Sequence, residues 1–215
     1  GVVLPIPDFD AAFGSGVTRT LSINDSMAGY GQLTIHLNDQ IDITGGLRYT
    51  IDDRQMNIYS ISGGQGGQLG IGKYKVSFNK LNYTGILTWR PTSEITTYAK
   101  IASGYVAGGI LSGIPYKPET LVSYEVGLKM QAFNNRLRAN VSAYYSDYKD
   151  LQTQNFIDGV QFFDNAGKAS IKGVELEMDA MPVRGLTLSG SLGYTKFNYK
   201  EFILVGQDVA DVART

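Results

Sequence analysis

The sequence predicts an all-β protein, an antiparallel transmembrane β-barrel with about eight meandering strands. Three observations lead to this prediction. Apolar residues recur at every second position, short turns alternate with long loops, and mean hydropathy is only -0.11 although 43% of the residues are hydrophobic. A barrel strand alternates lipid-facing and lumen-facing side chains, so its average hydropathy stays near neutral. No run of about 18 apolar residues is present, which excludes a helical membrane span.

In the first half of the chain the pattern predicts strands at 27–38, 41–53, 77–90 and 94–105. A helix would place apolar residues three and four positions apart, and these segments place them two apart. The apolar face of the second strand reads Ile41, Ile43, Gly45, Leu47, Tyr49 and Ile51. That of the third reads Leu81, Tyr83, Gly85, Leu87 and Trp89.

The second half predicts strands at 120–133, 136–149, 167–181 and 185–200. In the strand 167–181 the apolar alternation changes phase at Gly173, which predicts a β-bulge there. The clearest alternation is that of Leu137, Ala139, Val141, Ala143 and Tyr145.

The connections alternate in length. The short ones are 38–40, 91–93, 134–135 and 182–184, and the long ones are 54–76, 106–119 and 150–166. Short periplasmic turns and long extracellular loops are typical of outer-membrane barrels. Trp89 lies just before a short turn, whereas Tyr49 and Tyr105 lie near long loops, as expected for aromatic girdles at the two membrane interfaces.

The whole chain, 1–215, is interpreted as one partial barrel domain. Residues 1–24 are expected in an extracellular loop, 25–200 in strands and loops, and 201–215 at the start of another loop. The chain starts at Gly1 without an initiator Met or a secretory signal, and its last residues read as an interruption. We therefore expect a processed product or a fragment.

Four segments carry a resemblance to a known family: 98–105 (YAKIASGY), 116–129 (YKPETLVSYEVGLK), 136–152 (RLRANVSAYYSDYKDLQ) and 165–177 (NAGKASIKGVELE). In this order and spacing they resemble the C-terminal barrel region of TonB-dependent receptors. The resemblance implies a barrel of about 22 strands with an N-terminal plug, of which this chain would supply about a third of the wall. It also implies contact with the protein TonB through the plug region, which this chain does not include.

No residue set predicts catalysis, a metal site or a cofactor. His36 is the single histidine and there is no cysteine, whereas triads and metal sites need several convergent groups. The glycine-rich stretch 63–72 lacks the Gly-Lys-Ser/Thr of a phosphate loop. Calcium held by Asp147, Asp150 and Asp158 is the less favoured reading, since their spacing matches no EF-hand.

Acidic residues share one face of the strand 167–181. Glu175, Glu177 and Asp179 are expected to face the lumen and to pair with Arg136 and Arg138 of the preceding strand as a ladder of ion pairs. The alternative, catalytic carboxylates, needs a cleft and a raised pKa on one member.

Ligand-binding residues are assigned only to the predicted long loops. Their aromatic rings are candidates for stacking on a ligand, although packing between loops explains them equally well. The candidates are Tyr59, Tyr116, Phe156, Phe162 and Phe163.

The first functional hypothesis is transport of a scarce nutrient across the outer membrane of a Gram-negative bacterium. The nutrient classes are a ferric siderophore, cobalamin or an oligosaccharide, and the partners are outer-membrane lipid, that extracellular ligand and TonB. The alternatives are an independent eight-stranded barrel, acting as an adhesin, a structural protein or a membrane-anchored enzyme, and a soluble β-sandwich. Formal net charge is -1 without a basic stripe, so no nucleic-acid partner is expected.

Overall fold

The structure, a computed structural model, describes residues 17–62, 72–157, 160–204 and 207–208. Those residues contain no helix long and apolar enough to cross a membrane. Their strands are β1 (Val17–His36), β2 (Ile41–Ser62), β3 (Gly72–Thr92), β4 (Ile95–Val106), β5 (Gly109–Leu111), β6 (Ile114–Tyr116), β7 (Glu119–Ala132), β8 (Leu137–Ile157), β9 (Val160–Val183), β10 (Leu186–Leu204) and β11 (Gln207–Asp208).

Nine of these strands form one antiparallel sheet in the order β1-β2-β3-β4-β7-β8-β9-β10-β11. The sheet is a meander, since each strand pairs with the next one along the chain, and only the hairpin β5–β6 stands apart. The predicted all-β, antiparallel fold is confirmed. The first and last described strands do not pair with each other, so the sheet is open, which argues against an independently closed eight-stranded barrel.

The four short turns are confirmed, at 37–40, 93–94, 133–136 and 184–185. In the first turn the Asn38 side-chain oxygen accepts hydrogen bonds from the backbone N–H of Gln40 (2.9 Å) and of Ile41 (2.8 Å). This side-chain turn is the reason that asparagine suits the position.

The predicted long loops are mostly strand, and that part of the prediction is wrong. Residues 54–62 continue β2, 72–76 begin β3, 150–157 end β8 and 160–166 begin β9. Likewise 17–24 belong to β1 and 201–204 to β10, while residues 1–16, 63–71 (including Gly63 to Gly67), 158–159, 205–206 and 209–215 lie outside the described residues. Strand β2 has 22 residues, about twice what a membrane crossing needs, so the hydrogen-bond ladder continues well beyond the membrane.

The two faces of the sheet differ in polarity along its whole width. We call one the apolar face, and one register row across it reads Ile35, Ile43, Leu87, Ala99, Val126, Ala143, Val174 and Tyr194. The neighbouring row on the other, polar face reads Thr34, Thr44, Ile86, Lys100, Glu125, Tyr144, Gly173 and Thr195. This is the lipid-facing and lumen-facing alternation of a membrane barrel.

The apolar face has no second layer to cover it. Among the described residues the only buried hydrophobic side chains are Met56, Ile58 and Ala169, whereas Leu192 is 72% exposed. A soluble sandwich would bury such a face in a core between two sheets. On β3 the apolar stretch runs from Leu81 to Trp89, about 27 Å along the strand and roughly 20 Å in height at a barrel tilt near 40°.

The aromatic residues predicted for the girdles lie at the ends of this apolar stretch. Trp89 is opposite Ile41 at the turn end, and Tyr49 is opposite Leu81 at the other end. Both are about half exposed, at 48% and 47%. Tyr105 lies next to the last residue of β4, near the β5–β6 hairpin.

The predicted bulge at Gly173 is wrong. Register runs unbroken through Gly173, which pairs with Tyr144 on one side and with Thr195 on the other. Register shifts occur instead between Lys149 and Gln152 of β8, where Asp150 has a φ of 55°. The apolar alternation changes at Gly173 because β9 passes from the apolar stretch, at Val174, to polar surroundings beyond it.

Candidate functional site

The polar face carries a tyrosine–carboxylate–lysine group that is joined by one hydrogen bond and one ion pair. The Tyr98 hydroxyl donates to Glu125 Oε1 (2.5 Å), and Lys100 Nζ lies 3.6 Å from Glu125 Oε2. Tyr98 lies directly opposite Gly127, and its ring occupies the place where a Cβ on that glycine would project. Glycine is therefore needed on β7 so that a tyrosine from β4 can lie across it.

The same arrangement recurs two strands further on. Tyr144 of β8 lies opposite Gly173, and its hydroxyl makes a 2.8 Å hydrogen bond with the Thr195 hydroxyl of β10. A Cβ on Gly173 would lie 2.6 Å from the Tyr144 hydroxyl oxygen and 2.5 Å from the Tyr194 carbonyl oxygen. The ring thus bridges three strands over a glycine.

The predicted ladder has the expected strand register, but none of its ion pairs is formed among the described side chains. Arg138 lies directly opposite Asp179, as the strand order predicts. Among the residues whose side chains are described, however, neither Arg136 nor Arg138 has a carboxylate within 4.0 Å. Glu177 instead accepts a 3.4 Å hydrogen bond from Asn140. Water-filled lumens solvate such charges, so the register does not require the contact.

His36 belongs to a group of polar side chains around Asp42 at the turn end of the sheet. Its Nδ1 lies 2.6 Å from Asp42 Oδ1, and the second oxygen of Asp42 lies 2.7 Å from the Arg90 guanidinium. Asp42 is buried, so it ties β1, β2 and β3 together there. No set of three or more histidine, cysteine, aspartate or glutamate side chains suited to a metal occurs among the described residues. The structure adds no support for the less favoured calcium site, because Asp147 pairs with Lys200 and Asp158 lies outside the described residues.

At the end opposite the short turns, the hairpin β5–β6 lies over the polar face. Its turn is Ser112-Gly113, with φ values of 54° and 79°, the positive pair that a tight two-residue hairpin requires. A Cβ on Gly113 would lie 3.0 Å from the ring of Tyr74, a residue whose parity on β3 is that of the polar face. The hairpin contacts β2, β3 and β9, so it crosses the mouth rather than projecting away from it.

Two side-chain amides hold the base of this hairpin. Asn165 of β9 accepts a hydrogen bond from the Lys117 N–H (2.7 Å) and donates to the carbonyls of Lys117 (2.9 Å) and Asp150 (2.9 Å). Gln152 of β8 donates to the carbonyls of Ala107 (3.2 Å) and Lys117 (3.1 Å). The chain entering β5 and the chain leaving β6 are therefore fixed to the same pair of strands.

The family of the chain follows from comparison with known proteins. A family model described as TonB-dependent receptor-like β-barrel matches residues 4–215. The chain belongs to the TonB-dependent receptor family. A relative in Yersinia enterocolitica, the pesticin receptor, is 32% identical over 163 residues, which are 71% of this chain and 23% of that protein. An uncharacterized TonB-dependent receptor of Haemophilus influenzae is 24% identical over 193 residues, 86% of this chain and 54% of that protein.

Solved structures agree on the fold of this TonB-dependent receptor chain. The ferric yersiniabactin uptake receptor of Yersinia pestis superposes with a TM-score of 0.74 at 23% identity, over 86% of this chain and 29% of that one. The ferric-catecholate import receptor of E. coli K12 gives 0.67 at 19% identity, over 87% and 30%. The chain thus spans less than a third of these receptors and supplies a barrel portion, as the resemblance implies.

In this TonB-dependent receptor barrel the five aromatic candidates lie on strands rather than in loops. Tyr116 of β6 and Phe163 of β9 meet, with ring centroids 4.9 Å apart. Tyr59 is exposed, with the Arg19 guanidinium carbon 6.0 Å from its ring centre. Phe156 and Phe162 lie on β8 and β9, and their side chains are outside the described ones.

Sequence reasoning missed the two amides that organise the mouth. Gln152 and Asn165 fell within the predicted loop 150–166, where only aromatic residues were considered. The available signal was chemical: an amide side chain is both donor and acceptor, and so it can satisfy the N–H and C=O of a passing backbone at once.

Proposed function

We propose that this chain is the wall of an outer-membrane transporter in a Gram-negative bacterium, that the transporter takes up a ferric siderophore, and that TonB drives it through a plug. The observation that carries the proposal is the continuous segregation of an apolar and a polar face, with a hairpin fixed over the polar face at one end. An apolar exterior suits lipid, and a polar interior suits a hydrated or plugged lumen.

The names of the related proteins and of the similar solved structures support the choice of substrate class. The pesticin receptor is the relative with 32% identity, and solved neighbours include uptake or import receptors for ferric yersiniabactin and ferric catecholates. Cobalamin and oligosaccharides remain the other substrate classes to be tested. In this proposal the hairpin β5–β6 forms part of the binding mouth, and its tip residue Ile114, 47% exposed, contacts the ligand.

The aromatic candidates then divide by their contacts. Tyr116 and Phe163 pack on each other and brace the hairpin, which is the loop-packing role. Tyr59 keeps an exposed ring, but its hydroxyl accepts a 3.5 Å hydrogen bond from Asn57, which is opposite Lys73 on the side of β2 away from the hairpin, so we do not propose Tyr59 as a ligand contact of the mouth.

The test is uptake by the full-length receptor in a Gram-negative host that lacks its own siderophore receptors, with and without a functional TonB. Cells are given ⁵⁵Fe-loaded siderophores of several chemical classes, labelled cobalamin or labelled oligosaccharides. TonB-dependent accumulation of a ferric chelate is expected. TonB-dependent accumulation of only cobalamin or oligosaccharide would replace the substrate class, and uptake independent of TonB would refute the proposal.

A matched pair of variants tests the hairpin tip. Ile114→Asn is expected to raise the half-saturating ligand concentration about tenfold, since one apolar contact contributes roughly 1.4 kcal/mol. Val106→Asn, at an equally exposed aliphatic residue (54%) that precedes the hairpin, is the control. Equal effects of the two substitutions would remove the hairpin tip from the ligand site.

A further inference from the structure

Beyond the apolar stretch, β3 pairs with a neighbouring strand on one side only, and we call its other side the open edge. β3 pairs with β2 from Gly72 onward, whereas it pairs with β4 only from Thr84 onward. β4 continues to Val106 with β7 as its partner, and within the described ranges the hairpin β5–β6 forms no ladder with β3. The residues of the open edge are Lys73, Lys75, Ser77, Asn79 and Leu81.

A serine side chain ends the ladder between β3 and β4. The backbone N–H of Tyr83 donates a 2.8 Å hydrogen bond to the Ser103 hydroxyl instead of to a carbonyl of β4. Beyond this point the strands part beside a cleft of about 540 Å³, with Leu81 on the side of β3 and Gly104 on the side of β4. The space next to the open edge therefore has room for a further segment.

The backbone groups of the open edge point toward that space. In a strand the N–H and C=O of one residue point to the same side, and the side alternates from one residue to the next. The Tyr83 N–H and the Trp89 carbonyl both point toward β4, because hydroxyl groups of β4 bond to them. The odd-numbered residues in 73–81 therefore direct their N–H and C=O groups away from β2. An unpaired row of this kind is a template for another strand.

Two buried polar atoms near the point where the strands part lack a hydrogen-bond partner among the described residues. They are the side-chain oxygen Oδ1 of Asn82, next to Tyr83, and the hydroxyl of Tyr105, two residues after Ser103. Buried polar atoms in proteins are almost always hydrogen-bonded. The backbone of an added strand carries both the N–H that Asn82 requires and the carbonyl that Tyr105 requires.

The side chains of this part of β3 indicate the chemistry of the added strand. Lys73 and Lys75 are exposed on the side of the apolar face, and neither has a carboxylate within 4.0 Å among those that the structure describes. Val76 and Phe78 are half-buried on the other side. Cross-strand neighbours share a face, so the matching strand carries carboxylates two residues apart beside the lysines and apolar residues between them.

A second copy of this receptor fits the open edge poorly. Copies in one membrane point the same way, and a two-fold axis along the membrane normal relates the two members of a symmetric dimer without changing the height of any residue. Lys73 and Lys75 of one copy would then lie level with the same two lysines of the other. Like charges opposite each other destabilise a sheet, whereas a strand with carboxylates has no such penalty.

We propose that the open edge binds an extended acidic segment of another protein, which adds to β3 as a further strand. Main-chain hydrogen bonds supply affinity in this mode of recognition, and alternate side chains supply specificity. The lysines select carboxylates on one face of the added strand, and Val76 and Phe78 select apolar residues on the other. The inference rests on the register of β3, and it does not depend on which nutrient the receptor transports.

The experiment titrates the full-length receptor, in a neutral detergent, into a fluorescent peptide of about nine residues in which glutamate alternates with valine, the length that spans 73–81. Fluorescence anisotropy is expected to show saturable binding that weakens as salt rises. A peptide with lysine in place of glutamate is expected to bind about tenfold more weakly, because opposite charges become like charges. Equal affinity for the two peptides, or binding of neither, would overturn the proposal.

Charge reversal on the receptor is the matched test. Lys73→Glu/Lys75→Glu is expected to prefer the lysine peptide over the glutamate peptide by about tenfold. The control is Lys172→Glu/Lys196→Glu, at two exposed lysines that face each other across the paired strands β9 and β10. The control is expected to keep the preference of the wild type. Equal changes in the two variants would mean that overall charge selects the peptide, and the assignment to the open edge would be wrong.

Strand addition is tested by removing one N–H from the open edge. Ser77→Pro deletes an N–H that points away from β2, which edge strands tolerate, and its ring obstructs an approaching backbone. It is expected to bind the glutamate peptide about tenfold more weakly than Ser77→Ala, which keeps the N–H. Equal binding by these two variants would refute strand addition.

Two further measurements keep the result decisive. The glutamate peptide with every backbone N–H methylated is expected not to bind to wild type, whatever the folding of the proline variant, and undiminished binding would refute pairing through the backbone. Native mass spectrometry of the wild type reports its oligomeric state. A dimer that Ser77→Pro converts to monomers would assign the open edge to a second copy and overturn the proposal.

Discussion

Replacing Asn165 by alanine is expected to release the hairpin β5–β6 while leaving the barrel wall folded. The side chain makes three hydrogen bonds of 2.7 to 2.9 Å, to both backbone groups of Lys117 and to the Asp150 carbonyl. At about 1 kcal/mol net for each bond, the free energy of opening the hairpin falls by roughly 3 kcal/mol. The open state therefore becomes roughly a hundred times more populated.

Hydrogen–deuterium exchange of the full-length receptor measures this directly. Amides in 109–116 are expected to exchange up to a hundredfold faster in Asn165→Ala, whereas those of β7 keep their protection, because their bonds lie in the sheet ladder. Asn140→Ala is the matched control, since Asn140 makes one 3.4 Å hydrogen bond on the same polar face. Unchanged exchange in the hairpin would refute the clamp, and faster exchange throughout β8 and β9 would show that Asn165 supports the wall instead.

Two further predictions concern the wall. Gly173→Ala is expected to lower the free energy of unfolding in urea by about 1–3 kcal/mol, because the Tyr144 ring must move. The control Gly190→Ala is expected to be neutral, because nothing lies within 4 Å of its new Cβ. Equal effects of the two substitutions would contradict the close approach of Tyr144 to Gly173. Leu192→Lys on the apolar face is expected to cost about 2–4 kcal/mol on folding into lipid vesicles. Ser191→Lys, on the polar face opposite Glu177, is expected to cost little, and a reversed order would exchange the lipid-facing and lumen-facing sides.

The part of the fold that meets the membrane could be predicted from the sequence because contact with lipid on one face imposes an alternation of apolar and polar residues. Where one face contacts hydrocarbon and the other contacts water, every second residue reports its surroundings, and the row from Ile43 to Val174 is apolar throughout. The same logic explains the wrong bulge. At Gly173 the change of phase records a strand leaving lipid, and hydrophobicity alone does not distinguish this from an inserted residue.

The parts of the strands that extend beyond the apolar stretch could not be predicted from the alternation of apolar residues, for a physical reason. In 54–62 the apolar residues Met56 and Ile58 are buried and have the parity of the polar face, so the alternation of the membrane stretch does not continue there, whereas the backbone ladder persists. Polar composition there was interpreted as loop. Backbone hydrogen bonding does not depend on side-chain polarity, so a hairpin started in lipid continues outward until its turn.

The residues of the candidate site could likewise not be identified from residue type alone. Aromatic residues were proposed as ligand contacts because a ring offers a large contact area, yet the rings of Tyr116 and Phe163 pack against each other. The residues that shape the mouth are Gln152 and Asn165, and their role depends on backbone groups brought within 3 Å or so by the fold. Since Ala107 and Lys117 lie more than 30 residues away in sequence from these amides, only the register of β8 with β9, and the path of the hairpin over the polar face, could identify them as partners.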